Sequence, residues 1–337
     1  MAPEISVVIP THIPGRNSLA RVLGALKLQA AVPPRSYEVI VVENPEETKI
    51  GKLLTEQHGF RHEVCPILGA NAARNYGTER SRAEIIALLD DDAVPMPTWI
   101  SRLMGLHGFY PNVGIIGGRF ELEFLSEKPR WISGTFLPWL SEVNWSVSGF
   151  TDIHAQPGRY VVSGNLTYKK SKWKQVGKFP EWAGLRGRET LIVNDEPAFV
   201  AACGEIGDPH VGYDPELIVK HLIPADRCTL AYMLARGYGQ GYADGRDWMR
   251  LGHGNLSIQD VYYKYVQGPA ERFIYFGEIC SARERISHEE STREYIRNLI
   301  ICRTEYFKGV IDAIERDGDM IWKDVEREKR HGQVAIP

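Results

Sequence analysis

In the first third of the chain, short apolar runs alternate with amphipathic segments, whose apolar residues recur at helical spacing. The predicted strands are Ile5–Ile9, Glu38–Val42, Glu63–Cys65, Glu84–Leu89 and Val113–Phe120. The predicted helices lie between them, at Asn17–Leu28, Thr48–His58, Asn71–Arg82 and Pro97–His107. Strands and helices that alternate in this way form a parallel sheet covered by helices, so the sequence predicts an α/β fold.

Two later regions depart from this alternation. Residues 122–184 are rich in Trp, Gly, Pro and Ser, and we expect an irregular, substrate-facing surface there. From about Ser257 the pattern is helical and contains one apolar stripe, which is typical of a helix that packs against a core. The stripe consists of Tyr295, Leu299, Cys302, Tyr306, Val310 and Ile314.

The composition is that of an ordinary globular protein, since 43% of the 337 residues are hydrophobic and 25% are charged. The 43 acidic residues nearly balance the 40 basic ones, so no basic excess predicts a nucleic-acid partner. No apolar run approaches the roughly 18 residues of a membrane span, and the first residues lack a secretory-signal pattern. Five scattered cysteines indicate reduced thiols. We expect a cytoplasmic protein, with peripheral contact to the inner face of the membrane and the number of subunits left open.

Carboxylates crowd together at the end of one predicted strand. Asp90, Asp91 and Asp92 directly follow Glu84–Leu89. Adjacent carboxylates repel each other unless a cation holds them, and the carboxyl edge of an α/β sheet is where ligands bind. A divalent cation that bridges Asp90 and Asp92 to a diphosphate would remove the repulsion. The alternative is a cluster that caps the next helix or lies in a solvated turn.

A nucleotide at this edge should also meet the ends of the neighbouring strands. Pro10 and Thr11 follow the first strand, Glu43 follows the second, and Arg74 lies in the predicted helix Asn71–Arg82. Each of these residues alone is a weak signal. Their occurrence at successive strand ends favours a nucleotide site.

A second acidic pair and a histidine occur later in the chain. Asp195 and Glu196 open a predicted helix after Asn194, where they would either complement the helix dipole or supply a general base. His221 follows an apolar, strand-like stretch and is a candidate contact for a metal or a phosphate, although a lone histidine is more often structural. Residues 221–241 could cover the diphosphate as a mobile lid.

In this order the motifs resemble the inverting glycosyltransferases of family two, which have the GT-A fold. The resemblance runs from Ile5 to about Gly241. The matching segments are Ser6–Thr11, Val41–Asn44, Ala73–Gly77, Leu89–Pro95, Ser163–Asn165, Asn194–Glu196 and Val219–His221. The resemblance implies a GT-A type, mostly parallel sheet flanked by helices, with a C-terminal helical extension. The implied domains are a catalytic domain at 1–241, with a nucleotide-binding half at 1–120 and an acceptor and catalytic half at 121–241, and a helical region at 242–337.

The same resemblance implies a nucleotide-sugar donor of the UDP or TDP type and a Mn²⁺ or Mg²⁺ ion. Asp92 would be the main metal ligand, with Asp90 and His221 as further ligands. The residues expected to hold the donor are Pro10, Thr11, Glu43, Arg74, Asp90, Asp91, Gly164 and Asn165.

The implied chemistry is a single displacement with inversion, in which Glu196 or Asp195 takes a proton from an acceptor hydroxyl. Trp182 lies where the family places acceptor-binding residues. Two positions depart from the family pattern: Glu43 stands where aspartate is usual, and the order Asp195-Glu196 is reversed. The reversal leaves the choice of base open, and we favour Glu196.

The acceptor implied by analogy is a carbohydrate or a lipid-linked sugar in polysaccharide biosynthesis. A nucleotidyltransferase is an alternative, but that class predicts a Gly-rich, basic loop after the first strand, and residues 11–16 resemble one only faintly. A catalytically silent module that binds a nucleotide or a sugar is another alternative. The intact acidic set argues against such a module.

Overall fold

The computed structural model describes residues 2–12, 17–33, 35–44, 49–134, 136–154, 156, 158–180, 191, 199–200, 203, 210–250, 294, 297–313 and 316. The chain divides into two compact units. The larger unit comprises Met1–Ser126, Leu140–Glu189 and Asp195–Ala225. The smaller unit comprises Glu127–Trp139, Thr190–Asn194 and Asp226–Pro337.

The strands all belong to the larger unit. They are β1 (Ile5–Thr11), β2 (Tyr37–Glu43), β3 (Arg61–Val64), β4 (Ile85–Leu88), β5 (Ala93–Pro95), β6 (Ile115–Phe124), β7 (Thr151–Asp152), β8 (Leu166–Lys169) and β9 (Val211–Ile223). The helices of both units are α1 (Asn17–Lys27), α2 (Lys49–Gln57), α3 (Ala70–Arg80), α4 (Trp99–Phe109), α5 (Phe136–Trp139), α6 (Lys170–Val176), α7 (Leu230–Arg250) and α8 (297–313). Among the described residues the strands form one sheet in the order β3-β2-β1-β4-β8-β6-β9-β5, and β7 pairs with β9.

The first half of the sheet is parallel and flanked by helices, which confirms the expected fold class. β1 pairs in parallel with both β2 and β4, and β2 pairs in parallel with β3. β1 is buried along its whole length, because it lies inside the sheet under helices. Gly77 lets α3 approach this sheet closely, since a Cβ there would overlap the side chains of Val8 and Val42. The apolar side of α1 is fully buried, as its spacing predicts.

The second half of the sheet is mixed, and here one prediction was wrong. Residues 122–184 were expected to be irregular, but they contain β8 and α6. β8 lies antiparallel between β4 and β6, whereas β9 runs parallel to β6 and antiparallel to β5. Leu166, Thr167 and Tyr168 are all buried, so burial does not alternate along β8, and a strand of four residues is too short for its sequence pattern to reveal it.

The smaller unit contains α5, α7 and α8. Gly237, Gly241 and Gly245 lie one helical turn apart on α7, and a Cβ at any of them would meet the backbone of α8. Tyr306 is the residue of α8 that Gly241 faces. Residues 221–241 therefore form the end of β9 and the first half of a packed helix rather than the expected lid, and the expected domain boundary at 241 falls inside α7.

The described part of the apolar stripe predicted near the C-terminus forms a core-facing side of α8. Leu299, Cys302 and Val310 are buried, as expected for a packed helix. Tyr295 and Ile314, its two ends, lie outside the described residues. None of the helices that the structure describes is long and apolar enough to cross a membrane.

Candidate active site

The three consecutive aspartates lie in the turn between β4 and β5, where the parallel strands end. The N–H of Ala93 donates to the carbonyl of Asp90 at 3.1 Å and closes the turn. The N–H of Leu222, in β9, donates to the carbonyl of Asp92 at 2.8 Å. This turn directs the three carboxylates, including that of Asp91, to three different partners, so they do not form a repelling row.

Asp90 faces α3. Arg74 reaches it with Nη2 at 3.1 Å from Oδ1, while its Nη1 donates to Oδ1 of Asn71 at 2.9 Å. The side chain of Arg74 is only 7% exposed, against 30% for Asp90. A guanidinium stays charged even when it is buried, so Arg74 fixes a positive charge beside the acidic turn. The structure brings these two predicted residues together.

Asp91 turns toward the end of β1. The hydroxyl of Thr11 donates to Oδ2 of Asp91 at 2.5 Å. Thr11 is in register with Glu43 at the end of β2, and Pro10 is in register with Val42. The predicted residues of β1, β2 and the acidic turn therefore share one edge of the sheet.

Asp92 faces His221, which β9 delivers to the same edge. Oδ1 of Asp92 lies 3.5 Å from Nε2 of the imidazole. The other ring nitrogen, Nδ1, lies 3.0 Å from the carbonyl of Leu140. A carbonyl accepts only from an N–H, so the contact with Leu140 places a proton on Nδ1, and Nε2, which faces Asp92, is the nitrogen that could bind a metal. Metal-binding histidines commonly donate their second nitrogen to such a carbonyl.

The Asp92 and His221 pair fits a divalent cation whose shell is completed by a substrate. Within the ranges that the structure describes, no group of three or more His, Cys, Asp or Glu is arranged to hold a metal. Mg²⁺ is commonly bound by one or two protein carboxylates together with phosphate oxygens and water, so two protein ligands are sufficient. Asp90, the third expected ligand, is paired with Arg74 instead.

Gly164 lies in the 3₁₀ turn Ser163–Asn165, against the acidic turn. A Cβ there would come within 2.5 Å of a ring carbon of Phe120 and 3.0 Å of Oδ2 of Asp90. The Phe120 ring in turn stacks on His221, with ring centroids 4.8 Å apart. Phe120 thus connects the surroundings of Asp90 with those of the imidazole, and only glycine fits at position 164.

Asn165 supports this turn from inside the sheet. Its Oδ1 accepts from the indole N–H of Trp99 at 2.9 Å. Its Nδ2 donates to the carbonyls of Arg119 and Leu217, at 2.9 and 2.8 Å. These hydrogen bonds join the side-chain amide to α4, β6 and β9. Asn165 therefore contributes to the site by holding Gly164 in place.

Glu43 ends β2 as a buried carboxylate. His62, in β3, places Nε2 at 2.9 Å from Oε2 of Glu43. The next residue, Asn44, donates from Nδ2 to the carbonyl of Ile67 and accepts from the N–H of Gly69 at 2.9 Å. These contacts fix the end of β2 to the segment that leads into α3.

The two candidate bases, Asp195 and Glu196, and the candidate acceptor contact Trp182 lie outside the described residues. The nearest described residue after the bases is Phe199, which is buried and stacks on Phe179 with centroids 4.4 Å apart. This stacking attaches the segment that follows the candidate bases to the core of the larger unit.

Sequence reasoning missed three contributors to the site, which are His62, Phe120 and the carbonyl of Leu140. Phe120 has the pattern of an ordinary core residue, and Leu140 acts through its backbone, so neither carries a sequence signal. His62 carries a weak sequence signal. It faces the same side of the sheet as Glu43, because it is in register with Val41, two residues before that glutamate.

The comparison with known families decides the class of the protein. Residues 6–168, which include β1 to β6 and the acidic turn, match the model of glycosyl transferase family 2. The match covers just under half of the chain. Together with the named relatives below, it identifies the chain as a glycosyltransferase, which favours this class over both alternatives considered from the sequence.

Named relatives agree with the family. The chain is 25% identical to the glucosyl-dolichyl phosphate glucuronosyltransferase of Haloferax volcanii, over 71% of this chain and 76% of the relative. It is 24% identical to the succinoglycan biosynthesis protein ExoM of Rhizobium meliloti, over 71% of this chain and 74% of the relative. Among solved structures it is similar to the mannosyltransferase PcManGT of Pyrobaculum calidifontis, solved with GDP-Man and Mn²⁺. That match has a TM-score of 0.59 and 13% identity, and it covers 93% of this chain and 88% of the other.

Proposed function

We propose that this glycosyltransferase moves a sugar from a UDP- or TDP-linked donor to an acceptor hydroxyl, with inversion at the anomeric carbon and with a bound Mn²⁺ or Mg²⁺. The observation that supports it most is the geometry of Asp92 and His221. A carboxylate and an imidazole whose Nδ1 is held by a backbone carbonyl lie at the carboxyl edge, with Oδ1 and Nε2 3.5 Å apart. Beside them Arg74 supplies a fixed positive charge.

The metal, held by Asp92 and His221, would neutralise the charge that develops on the departing diphosphate. Arg74 binds the same region through charge and keeps Asp90 in place. Gly164 lets its turn lie directly against Phe120 and Asp90, where a side chain would not fit, and this turn would line the pocket of the transferred sugar. Thr11 and Asp91 are held together by a hydrogen bond and form the side of the site toward β1.

The second part of the mechanism is proton removal from the acceptor. Glu196 is our preferred base, and Asp195 is the other candidate. A carboxylate within hydrogen-bond reach of the acceptor hydroxyl would take its proton as the oxygen attacks the anomeric carbon. The bond to the diphosphate breaks in the same step, so no covalent sugar–enzyme intermediate forms.

The acceptor that we propose is a sugar hydroxyl on a growing glycan or on a lipid-linked saccharide. This class is supported by the names of the relatives, one of which acts on a glucosyl-dolichyl phosphate and one of which belongs to succinoglycan biosynthesis. Trp182 is the proposed acceptor contact. The proposed location is the cytoplasm or the inner face of the membrane, where such acceptors are extended.

The decisive experiment incubates the protein with a panel of UDP-, TDP- and GDP-sugars and Mn²⁺, and measures release of the nucleoside diphosphate. Turnover with a UDP- or TDP-sugar is expected, and it should stop when the metal is chelated. Asp92→Asn should abolish Mn²⁺-dependent binding of UDP, measured by calorimetry. Asp152→Asn is the matched control, because Asp152 lies on β7, away from the acidic turn, and pairs there with His210. Metal-independent turnover would refute the proposed role of Asp92 and His221.

A separate comparison tests the base. Glu196→Gln should lower turnover by orders of magnitude while UDP still binds, because the amide cannot take a proton. Asp195→Asn should then be mild. If transfer were unchanged in both variants, neither residue would be the base.

A further inference from the structure

Glu43 carries a buried acceptor oxygen that no described residue of the fold uses. The carboxylate is completely buried, and within the described part of the chain its Oε1 has no hydrogen-bond partner. Its other oxygen, Oε2, receives the Nε2–H of His62 at 2.9 Å. Buried polar atoms are nearly always paired, so an unpaired carboxylate oxygen at a ligand-binding edge points to a partner that comes from the ligand.

The position of Glu43 indicates which part of the donor this partner is. Glu43 is in register with Thr11, and Thr11 bonds Asp91, so two strand spacings separate Glu43 from the acidic turn. Two spacings amount to about 10 Å. If the diphosphate is bound at Asp92 and His221, a nucleoside that extends along the strand ends toward β2 would bring its base near Glu43.

The number of available oxygens then discriminates between bases. Uracil and thymine present a single ring N–H that is flanked by two carbonyl oxygens. Guanine presents a ring N–H next to an amino group, which together match a carboxylate with both oxygens available. Because His62 occupies one oxygen of Glu43, the remaining oxygen suits one N–H, and no second oxygen faces a flanking carbonyl.

We propose that His62 is a positioning residue that holds Glu43 with one acceptor oxygen available, and that this pair selects a donor carrying uracil or thymine over one carrying guanine. The inference rests on the proposed nucleotide-sugar function and goes beyond it by assigning the choice of base to a histidine in β3.

The test measures affinities for UDP, GDP and 3-methyl-UDP by calorimetry in the presence of Mn²⁺. The wild-type protein should prefer UDP to GDP by roughly 10- to 100-fold, the range expected when buried donors are left unpaired. Methylation of N3 removes the single N–H and should weaken binding of UDP by a similar factor. This arm needs no variant, so it does not depend on whether a variant folds.

Variants then test the role of His62. His62→Leu should lower the UDP-to-GDP ratio at least fivefold, because both oxygens of Glu43 become available. His62→Gln, which restores an N–H near the position of Nε2, should recover most of the ratio. His210→Leu is the matched control, since it removes another histidine that pairs with a carboxylate, that of Asp152, and it should leave the ratio unchanged.

Two results would overturn the inference while leaving the proposed function intact. One is equal binding of UDP and 3-methyl-UDP, and the other is a loss of UDP and GDP affinity by the same factor in His62→Leu. Binding of none of these nucleotides, together with no turnover of any sugar nucleotide, would overturn the proposed function and this inference with it.

Discussion

Replacing Gly164 with alanine tests whether Phe120 connects the acidic turn to the histidine. The added Cβ would lie 2.5 and 2.9 Å from two ring carbons of Phe120 and 3.0 Å from Oδ2 of Asp90. Carbon atoms pack at about 3.5–4.0 Å, so the ring must move by about 1 Å. Because that ring stacks on His221, the imidazole that faces Asp92 moves with it.

Gly164→Ala is expected to lower both the stability of the protein and its turnover. Forcing a methyl group into a packed site destabilises a protein by about 1–3 kcal/mol, so the melting temperature should fall by several degrees. A misplacement of about 1 Å at reacting groups lowers turnover by about 100-fold. Differential scanning calorimetry measures the first effect, and release of UDP from a turned-over sugar nucleotide measures the second.

The control is Gly105→Ala, the same change in α4 at a position where a Cβ would meet nothing within 4 Å. The double variant Gly164→Ala with Phe120→Leu should regain part of the lost stability, because the smaller side chain makes room for the methyl group. If Gly164→Ala melted and turned over like Gly105→Ala, the proposed connection through Phe120 would be refuted.

Three further predictions concern stability. Burial lowers the pKa of His107 to about 4, so below pH 6.5 the unfolded chain binds a proton that the folded chain excludes. The free energy of unfolding should therefore fall by about 3 kcal/mol between pH 6.5 and 4, and His107→Gln should remove this slope in urea titrations. Gly241→Ala should destabilise the smaller unit by about 2 kcal/mol in thermal unfolding, because its methyl group would overlap the backbone of Tyr306. Arg102→Leu should cost about 2 kcal/mol by denaturant titration, since it leaves the fully buried carboxylate of Asp214 without its bidentate partner.

Each of these stability predictions has a result that would contradict it. An unchanged pH slope in His107→Gln would mean that other groups take up the proton. A Gly241→Ala variant as stable as Gly105→Ala would contradict the close approach of α7 and α8. An Arg102→Leu variant within 0.5 kcal/mol of the wild type, the usual range for surface changes, would mean that Asp214 finds another partner.

The parallel half of the fold could be predicted from sequence because its strands are continuous apolar runs between amphipathic helices. β1 and β2 are buried almost throughout, so each gives an unbroken signal. β9 was predicted only in part. It contains Asp214, Pro215 and Glu216, and the register of its pairing with β6 shifts between Gly118 and Arg119, which breaks any simple period.

The residues of the candidate site were also predictable only in part. Asp90, Asp92 and Arg74 could be predicted because each lies in a motif next to a strong element. The side chains that pair with these three residues could not be predicted, because the order of the strands in the sheet decides which residues become neighbours. The sequence suggested that Asp90 and Asp92 share one cation. In the structure Asp90 pairs with Arg74, and Asp92 lies next to His221.

The hydrogen bond from Leu222 to the backbone of Asp92 makes one amide proton a natural reporter. That N–H can exchange with deuterium only when β9 and the acidic turn separate. A ligand that holds the turn should slow this exchange whichever sugar it carries. Mass spectrometry of the peptide around Leu222 could therefore rank candidate donors before any acceptor is known.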